Sequence, residues 1–264
     1  MAMAPLTDAE TIVPTIAAAV GYTFQGDGRT PKMQLLDYLR TRKLLLLLDN
    51  AEHLLAGVPL FTEILEVAPN VRLLVTSRER LWLNSETVFT LEGLATAGDG
   101  QNQGAAEALF VQTAQRVRPT FEPTTVDWPA IQQICRLVGG MPLGLILAAS
   151  WMELLSPAEI VAEIERSLDF LAADLNDMPE RHHSLRAVFE STWQRLSVEE
   201  QHVFQKLAVF QGGFTREAAE GVADASLTTL TVLKHKALIQ TQPNGRFEIH
   251  ELLRQFALDT WADK

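Results

Sequence analysis

Between Lys43 and Asn50 the chain reads KLLLLLDN: an unbroken apolar run, then an acid and an amide. A continuous run without alternation predicts a strand buried on both faces, as in a parallel sheet. The segments around it carry helical signals. Thr11 to Val20 is apolar and closes at Gly21. Thr30-Pro31 opens a second helix with proline at its first position, and Met33, Leu35, Leu36 and Leu39 give it an apolar side. After the leucine run a helix is expected from about Ala51 to Val67, stopped by Pro69-Asn70. VRLLVTSR, from Val71 to Arg78, predicts a second strand with a polar end, and Val88 to Leu91 a short third one. The order helix, strand, helix, strand is α/β.

The pattern changes after ATAGDGQNQG, Ala95 to Gly104, which is small, polar and glycine-rich. A domain boundary is placed there, dividing residues 1–97 from 98–178. Helical periodicity then takes over. Leu109, Phe110, Thr113, Ala114 and Val117 share one face. Asp127-Trp128-Pro129 opens the next helix, with Ile131, Ile134 and Val138 inward. Gly139-Gly140 stops it and Met141-Pro142 starts another. Ser156-Pro157-Ala158-Glu159 and Ser197-Val198-Glu199-Glu200 are capping boxes. A second boundary falls in the polar stretch Asn176 to His183, so that 179–264 forms a third domain. There Val203, Phe204, Leu207 and Phe210 line one helix, and Gly212-Gly213-Phe214-Thr215 turns into a helix near Arg216. Leu227, Leu230, Leu233 and Leu238 mark a third helix and its exit. Ala237 to Thr241 and Arg246 to His250 flank Pro243-Asn244-Gly245, a hairpin signal. Helices followed by a hairpin make a winged helix-turn-helix, and Glu251 to Trp261 adds a last helix. The expected fold is mainly α with an α/β part.

Composition narrows the functional classes. The hydrophobic fraction is 47% and the charged fraction 21% over 264 residues, enough apolar material for packed cores. The net charge of −11 disfavours a freestanding nucleic-acid binder. Cys135 is the only cysteine, which excludes a disulfide framework and a thiolate cluster. No signal peptide is visible, and no apolar run reaches the roughly 20 residues that span a bilayer. A cytoplasmic protein without a membrane partner is expected.

Asp49 is the first candidate for chemistry. At the carboxyl end of a parallel strand it would face the crevice where open α/β sheets bind ligands, and could hold Mg²⁺. Equally, Asp49 or Asn50 could be the N-cap of the following helix. A Mg²⁺-holding acid needs phosphates beside it, yet the cradle G-x-x-x-x-G-K-[ST] is absent and no Gly-Lys pair occurs. The stretch from Gly21 to Thr30 has Asp27 where lysine should be, and it follows a helix instead of a strand. Arg78 could reach a γ-phosphate or simply pair with Asp49 or Glu79. Pro142 could lie against a base or start a helix after a tight turn. His250 alone reads as structural. The helix from Ser226 to Ala237 carries Lys234, His235 and Lys236 where a DNA-reading helix would lie. From Ser184 to Lys264, however, nine basic residues meet ten acidic ones, so packing is favoured over DNA contact. His182-His183 lacks the spacing of a zinc site.

Five segments occur in order: LLLLLDNAEHLL, VRLLVTSRERL, GGMPLGLILAA, LAVFQGGFT and FEIHELLRQFA. Together they resemble the signal-transduction ATPases with numerous domains, the NB-ARC-like class, and most of all the ATPase segment of large bacterial transcriptional regulators. The resemblance covers nearly the whole chain. It implies a nucleotide-binding α/β domain, a helical domain and a winged-helix domain that hold ADP among them and open on exchange for ATP. It implies Asp49 as the Mg²⁺-linked acid, with Asn50 where some relatives have a second acid. Arg78 would be the γ-phosphate sensor, Pro142 would pack near adenine, and His250 would reach the β-phosphate of ADP.

Ala4-Pro5-Leu6-Thr7-Asp8 is similar to the family segment ending its second strand, so the resemblance implies a chain that begins after the phosphate loop. Such a chain is expected to bind ATP, ADP and Mg²⁺ very weakly and to hydrolyse nothing, with Asp49 acting mainly as the polar start of the next helix. It is also expected to self-associate through its incomplete sheet or to rearrange its N-terminal part. The other readings are a pseudo-NTPase scaffold for a protein partner and a DNA-binding winged helix.

Overall fold

The computed structural model describes the chain except for residues 2, 4–5, 7, 53, 55–56, 98–103, 173–183, 243 and 263–264. Residues 98–103 of the first boundary segment, and the whole of the second with His182-His183, therefore lie outside the described residues. The fold is mainly α with a small α/β part. Two compact units are present: Met1–Phe89 with His235–Ala237, and Thr90–Lys234 with Leu238–Lys264.

The first unit holds α1 (Ile12–Ala19), α2 (Pro31–Arg40), β1 (Leu44–Leu48), α3 (Val58–Val67) and β2 (Val71–Val75). Thr30 caps α2, accepting from the Met33 N–H, with Pro31 following as expected. β1 and β2 pair in parallel, from Leu44 opposite Val71 to Leu48 opposite Val75. Leu46 and Leu48 are buried with Ile12, Ile16, Leu35, Leu39, Phe61 and Ile64. Each such side chain contributes about 2 kcal/mol of burial. The other face of the sheet is open: Leu45 is 60% exposed, Leu47 47% and Leu74 51%. The expectation of a strand buried on both faces is thus corrected, because the helices cover only one face.

Two further expectations change. The helix expected from about Ala51 is α3, and it starts at Val58, with Gly57 as N-cap and Pro59 in its first turn. Val88 to Leu91 forms no strand, and Phe89 and Leu91 are 85% and 82% exposed. A strand exists only by pairing, and among the described residues the sheet consists of β1 and β2. The far edge of β1 bonds to the N-terminal backbone: Asp49 N–H donates to the Met1 carbonyl (2.9 Å) and Met3 N–H to the Asp49 carbonyl (2.8 Å).

The second unit contains α4 (Ala105–Val117), α5 (Asp127–Leu137), α6 (Pro142–Ser150), α7 (Pro157–Arg166), α8 (Leu185–Trp193), α9 (Val198–Leu207), α10 (Arg216–Ala223) and, up to Lys234, α11 (Leu227–His235). Strands β3 (Gln240–Thr241) and β4 (Phe247–Glu248) and helix α12 (Glu251–Ala262) follow. α4 packs on α6 and α5 on α7, joined by Phe110, Ile131, Ile134, Leu147 and Ile164. Val117, grouped with Phe110 and Ala114 on one face, is 38% exposed at the end of its helix. Both capping boxes form, at Ser156 with Glu159 and at Ser197 with Glu200. β3 and β4 pair antiparallel, with Thr241 opposite Phe247. Helix α8 was not anticipated. Leu185, Phe189 and Trp193 recur on one face of it, and Phe189 and Trp193 pack edge-on against Phe256 of α12.

Candidate functional site

Because β1 and β2 run parallel and end in register, their last polar residues meet. The Thr76 hydroxyl donates to Asp49 Oδ1 (2.6 Å) and accepts from the Asn50 N–H (2.9 Å). Thr76 N–H donates to the Leu48 carbonyl, and Ala51 N–H to the Thr76 carbonyl. Asn50 adopts a left-handed conformation (φ 65°) that asparagine tolerates better than most residues. That turn sends the chain away from the strand instead of into a helix. Asp49 is therefore not a helix cap, and in place of the expected start of the next helix it makes a strand-end bond to Thr76.

A second carboxylate lies just behind. Glu52 is only 5% exposed. Its Oε1 faces Arg78 Nε at 3.5 Å. With the Asn50 amide oriented as its neighbours require, its nitrogen donates to both Glu52 oxygens, at 2.7 and 3.3 Å. A buried carboxylate demands such partners. Glu52 was missed by sequence reasoning. Its signal was an acid placed between Ala51 and Leu54, two residues that are buried. Arg78, expected at Asp49 or Glu79 if not at a phosphate, is paired with Glu52.

Asp49 is exposed and its carboxylate sits beside a hydroxyl, an oxygen pair suited to a hard cation that keeps other ligands from water or phosphate. Among the described residues no group of three or more His, Cys, Asp or Glu could hold a metal unaided.

The second unit brings together two motifs far apart in sequence. Gly139 (φ 59°) and Gly140 (φ 63°) end α5, with Gly140 N–H donating to the Cys135 carbonyl (2.9 Å). Pro142 then occupies the first position of α6. Leu94 N–H donates to the Gly140 carbonyl (2.8 Å), so the 93–94 backbone crosses the turn at contact distance. A Cβ on Gly93 would lie 1.9 Å from the Gly139 oxygen. His250 completes the cluster: a Cβ on Gly139 would meet its Nε2 at 2.2 Å. Its Nδ1 accepts from the Leu252 N–H (3.2 Å), capping α12. An accepting Nδ1 leaves the proton of the neutral ring on Nε2, toward the glycine turn. Burial pushes the His250 pKa below the usual 6.5, partly opposed by Glu251 and Glu248. Cys135, also buried here, has its thiol pushed up to about 12, chiefly by burial.

Asp49, Asn50 and Arg78 thus share one end of the sheet, and Pro142 and His250 share one turn of the second unit. Among the described residues no helix is long and apolar enough to cross a membrane.

No family model matches the chain. Proteins of Mycobacterium tuberculosis and Mycobacterium bovis with the provisional name HTH-type transcriptional regulator are 32% identical over 272 residues, covering 99% of this chain and 30% of theirs. The chain therefore spans about 30% of the length of these curated relatives. An uncharacterized Mycobacterium tuberculosis protein is 29% identical, over 99% of this chain and 68% of its own. Among solved structures, the Aeropyrum pernix ORC2 protein aligns with a TM-score of 0.43 at 15% identity, over 99% of this chain and 78% of that one. A signal-transduction ATPase with a tetratricopeptide repeat sensor from Pyrococcus horikoshii aligns with a TM-score of 0.30 at 16% identity, over 90% and 30%.

Proposed function

We propose that the chain is a nucleotide-responsive switch module of a transcriptional regulator of the signal-transduction ATPase type. The observation that carries the reading is the meeting of Asp49, Thr76 and Arg78 at the carboxyl end of a parallel sheet, where α/β folds take their ligands. In this reading Asp49, aided by the Thr76 hydroxyl, holds Mg²⁺, which neutralises phosphate oxygens. Arg78 answers a γ-phosphate. In the second unit, taken by itself, the His250 Nε2 proton beside the turn that Pro142 follows is a donor suited to a phosphate oxygen. The names of the 32%-identical relatives agree with a regulator.

These 264 residues contain no phosphate cradle, so the expected affinity of this chain for ADP or ATP is millimolar and its hydrolysis nil. Amide chemical shifts recorded with ADP and Mg²⁺ test this. Shifts at Asp49, Thr76 and Arg78 at millimolar nucleotide, lost in Asp49→Asn, are the expected result. Micromolar affinity would overturn the expectation of weak binding. Absence of shifts at all three residues would overturn the nucleotide reading itself.

One observation favours a second reading, a scaffold that binds a protein or a second copy of itself. It is the exposed leucine face of β1 and β2, since contiguous apolar surface marks interaction sites. Direct DNA contact is disfavoured by the near-balanced charge of the α8–α12 region.

A further inference from the structure

We infer that Glu52 is a positioning residue that holds Arg78 in a phosphate-refusing state. The inference rests on the nucleotide-switch reading and concerns how that site is kept from responding.

Arg78 follows β2 and would be useless as an anion sensor if its charge were already neutralised. Its guanidinium Nε lies 3.5 Å from Glu52 Oε1, and Arg78 remains 31% exposed while the Glu52 side chain is 3% exposed. The buried partner sets the terms. A carboxylate withdrawn from water resists losing its cation, because the uncompensated charge would be left in a low-dielectric setting. The same carboxylate accepts from the Asn50 amide, whose backbone N–H is fixed by Thr76, the residue bonded to Asp49. Glu52 is therefore wired to both strand ends: to the Mg²⁺-linked acid through Asn50 and Thr76, and to the sensor directly. A phosphate must compete with Glu52 for Arg78. An incoming cation at Asp49 would draw on Thr76 and thereby loosen the Asn50 bond that helps to hold Glu52 in place. Arg78 engagement then follows Mg²⁺, giving an ordered response of two weak ligands.

The Nε–Hε resonance of Arg78, recorded on the whole chain without nucleotide, reads the latch. In the native chain it should be protected from solvent exchange. In Glu52→Gln it should lose protection, and inorganic tripolyphosphate should shift it at roughly tenfold lower concentration, the range of one charge-assisted hydrogen bond. Glu52→Asp should restore protection in part. The remaining amide resonances report whether each variant is folded, and Asn50→Ala, which leaves Glu52 intact, weakens the latch by a second route. Unchanged Arg78 exchange in folded Glu52→Gln would overturn the inference. So would loss of protection without any gain in tripolyphosphate response. Because adenine nucleotide is absent from these measurements, failure of the nucleotide reading leaves them unaffected and is seen separately.

Discussion

Replacing Gly139 by alanine should destabilise the second unit by more than a turn glycine normally would. Gly139 has φ 59°, and an L-residue there costs about 1–2 kcal/mol. The new Cβ would also sit 2.2 Å from His250 Nε2 and 2.7 Å from its Cδ2. The ring must move, and overpacking of this kind costs about 1–3 kcal/mol. Moving it also weakens the cap that Nδ1 gives to the Leu252 N–H, worth about 1 kcal/mol. The sum is about 4 kcal/mol, a large part of a typical domain's stability. Gly212 provides the control: its φ is 76° and a Cβ would meet nothing within 4 Å, so Gly212→Ala should cost only the conformational part, about 1–2 kcal/mol. Urea unfolding followed by tryptophan fluorescence measures both. Equal losses in the two variants would refute the claim that His250 is packed onto the glycine turn.

Because burial lowers the His250 pKa, the unfolded chain takes up the proton first. Stability should be complete above the usual 6.5 and fall as pH drops through the lower folded value; unfolding curves of His250→Gln should lack this loss, and identical pH profiles would contradict it. Leu47→Lys with Leu74→Lys should abolish concentration-dependent association in sedimentation velocity, and persistence of oligomers would exclude the open sheet face as their cause. Cys135, buried with its thiol raised to about 12, should react with a thiol reagent at pH 8 only as fast as the second unit opens. Rapid labelling of the native chain would show the burial to be wrong.

The helix starts were legible because they depend on local chemistry. Thr30-Pro31, Ser156 with Glu159, and Ser197 with Glu200 each carry their own cap, and each helix begins there. The leucine strand was legible as a strand, but its burial was not, because the number of helices covering a sheet is not written in the strand. α3 was misplaced for a definite reason. Asn50 takes a left-handed conformation, and the true start is marked later by Gly57 and Pro59. The strand-end position of Asp49 followed from the run before it. Glu52 did not, since a charged residue is read as exposed unless its partner, here 26 positions away at Arg78, is already known. The same holds for His250, whose contact with Gly139 joins residues 111 positions apart.

The glycine crossing of the second unit also constrains how this sequence can drift. A Cβ on Gly93 would collide with the Gly139 carbonyl oxygen, and one on Gly140 with that of Leu94 at 2.2 Å. Those obstacles are main chain, which no substitution removes, so neither position should yield a compensating mutant. At Gly139 the obstacle is the His250 ring. A genetic suppressor can arise there, at the cost of the imidazole. The easiest escape from a damaged turn therefore leads through loss of the histidine, so this part of the molecule should be able to keep its shape while forfeiting its candidate chemistry.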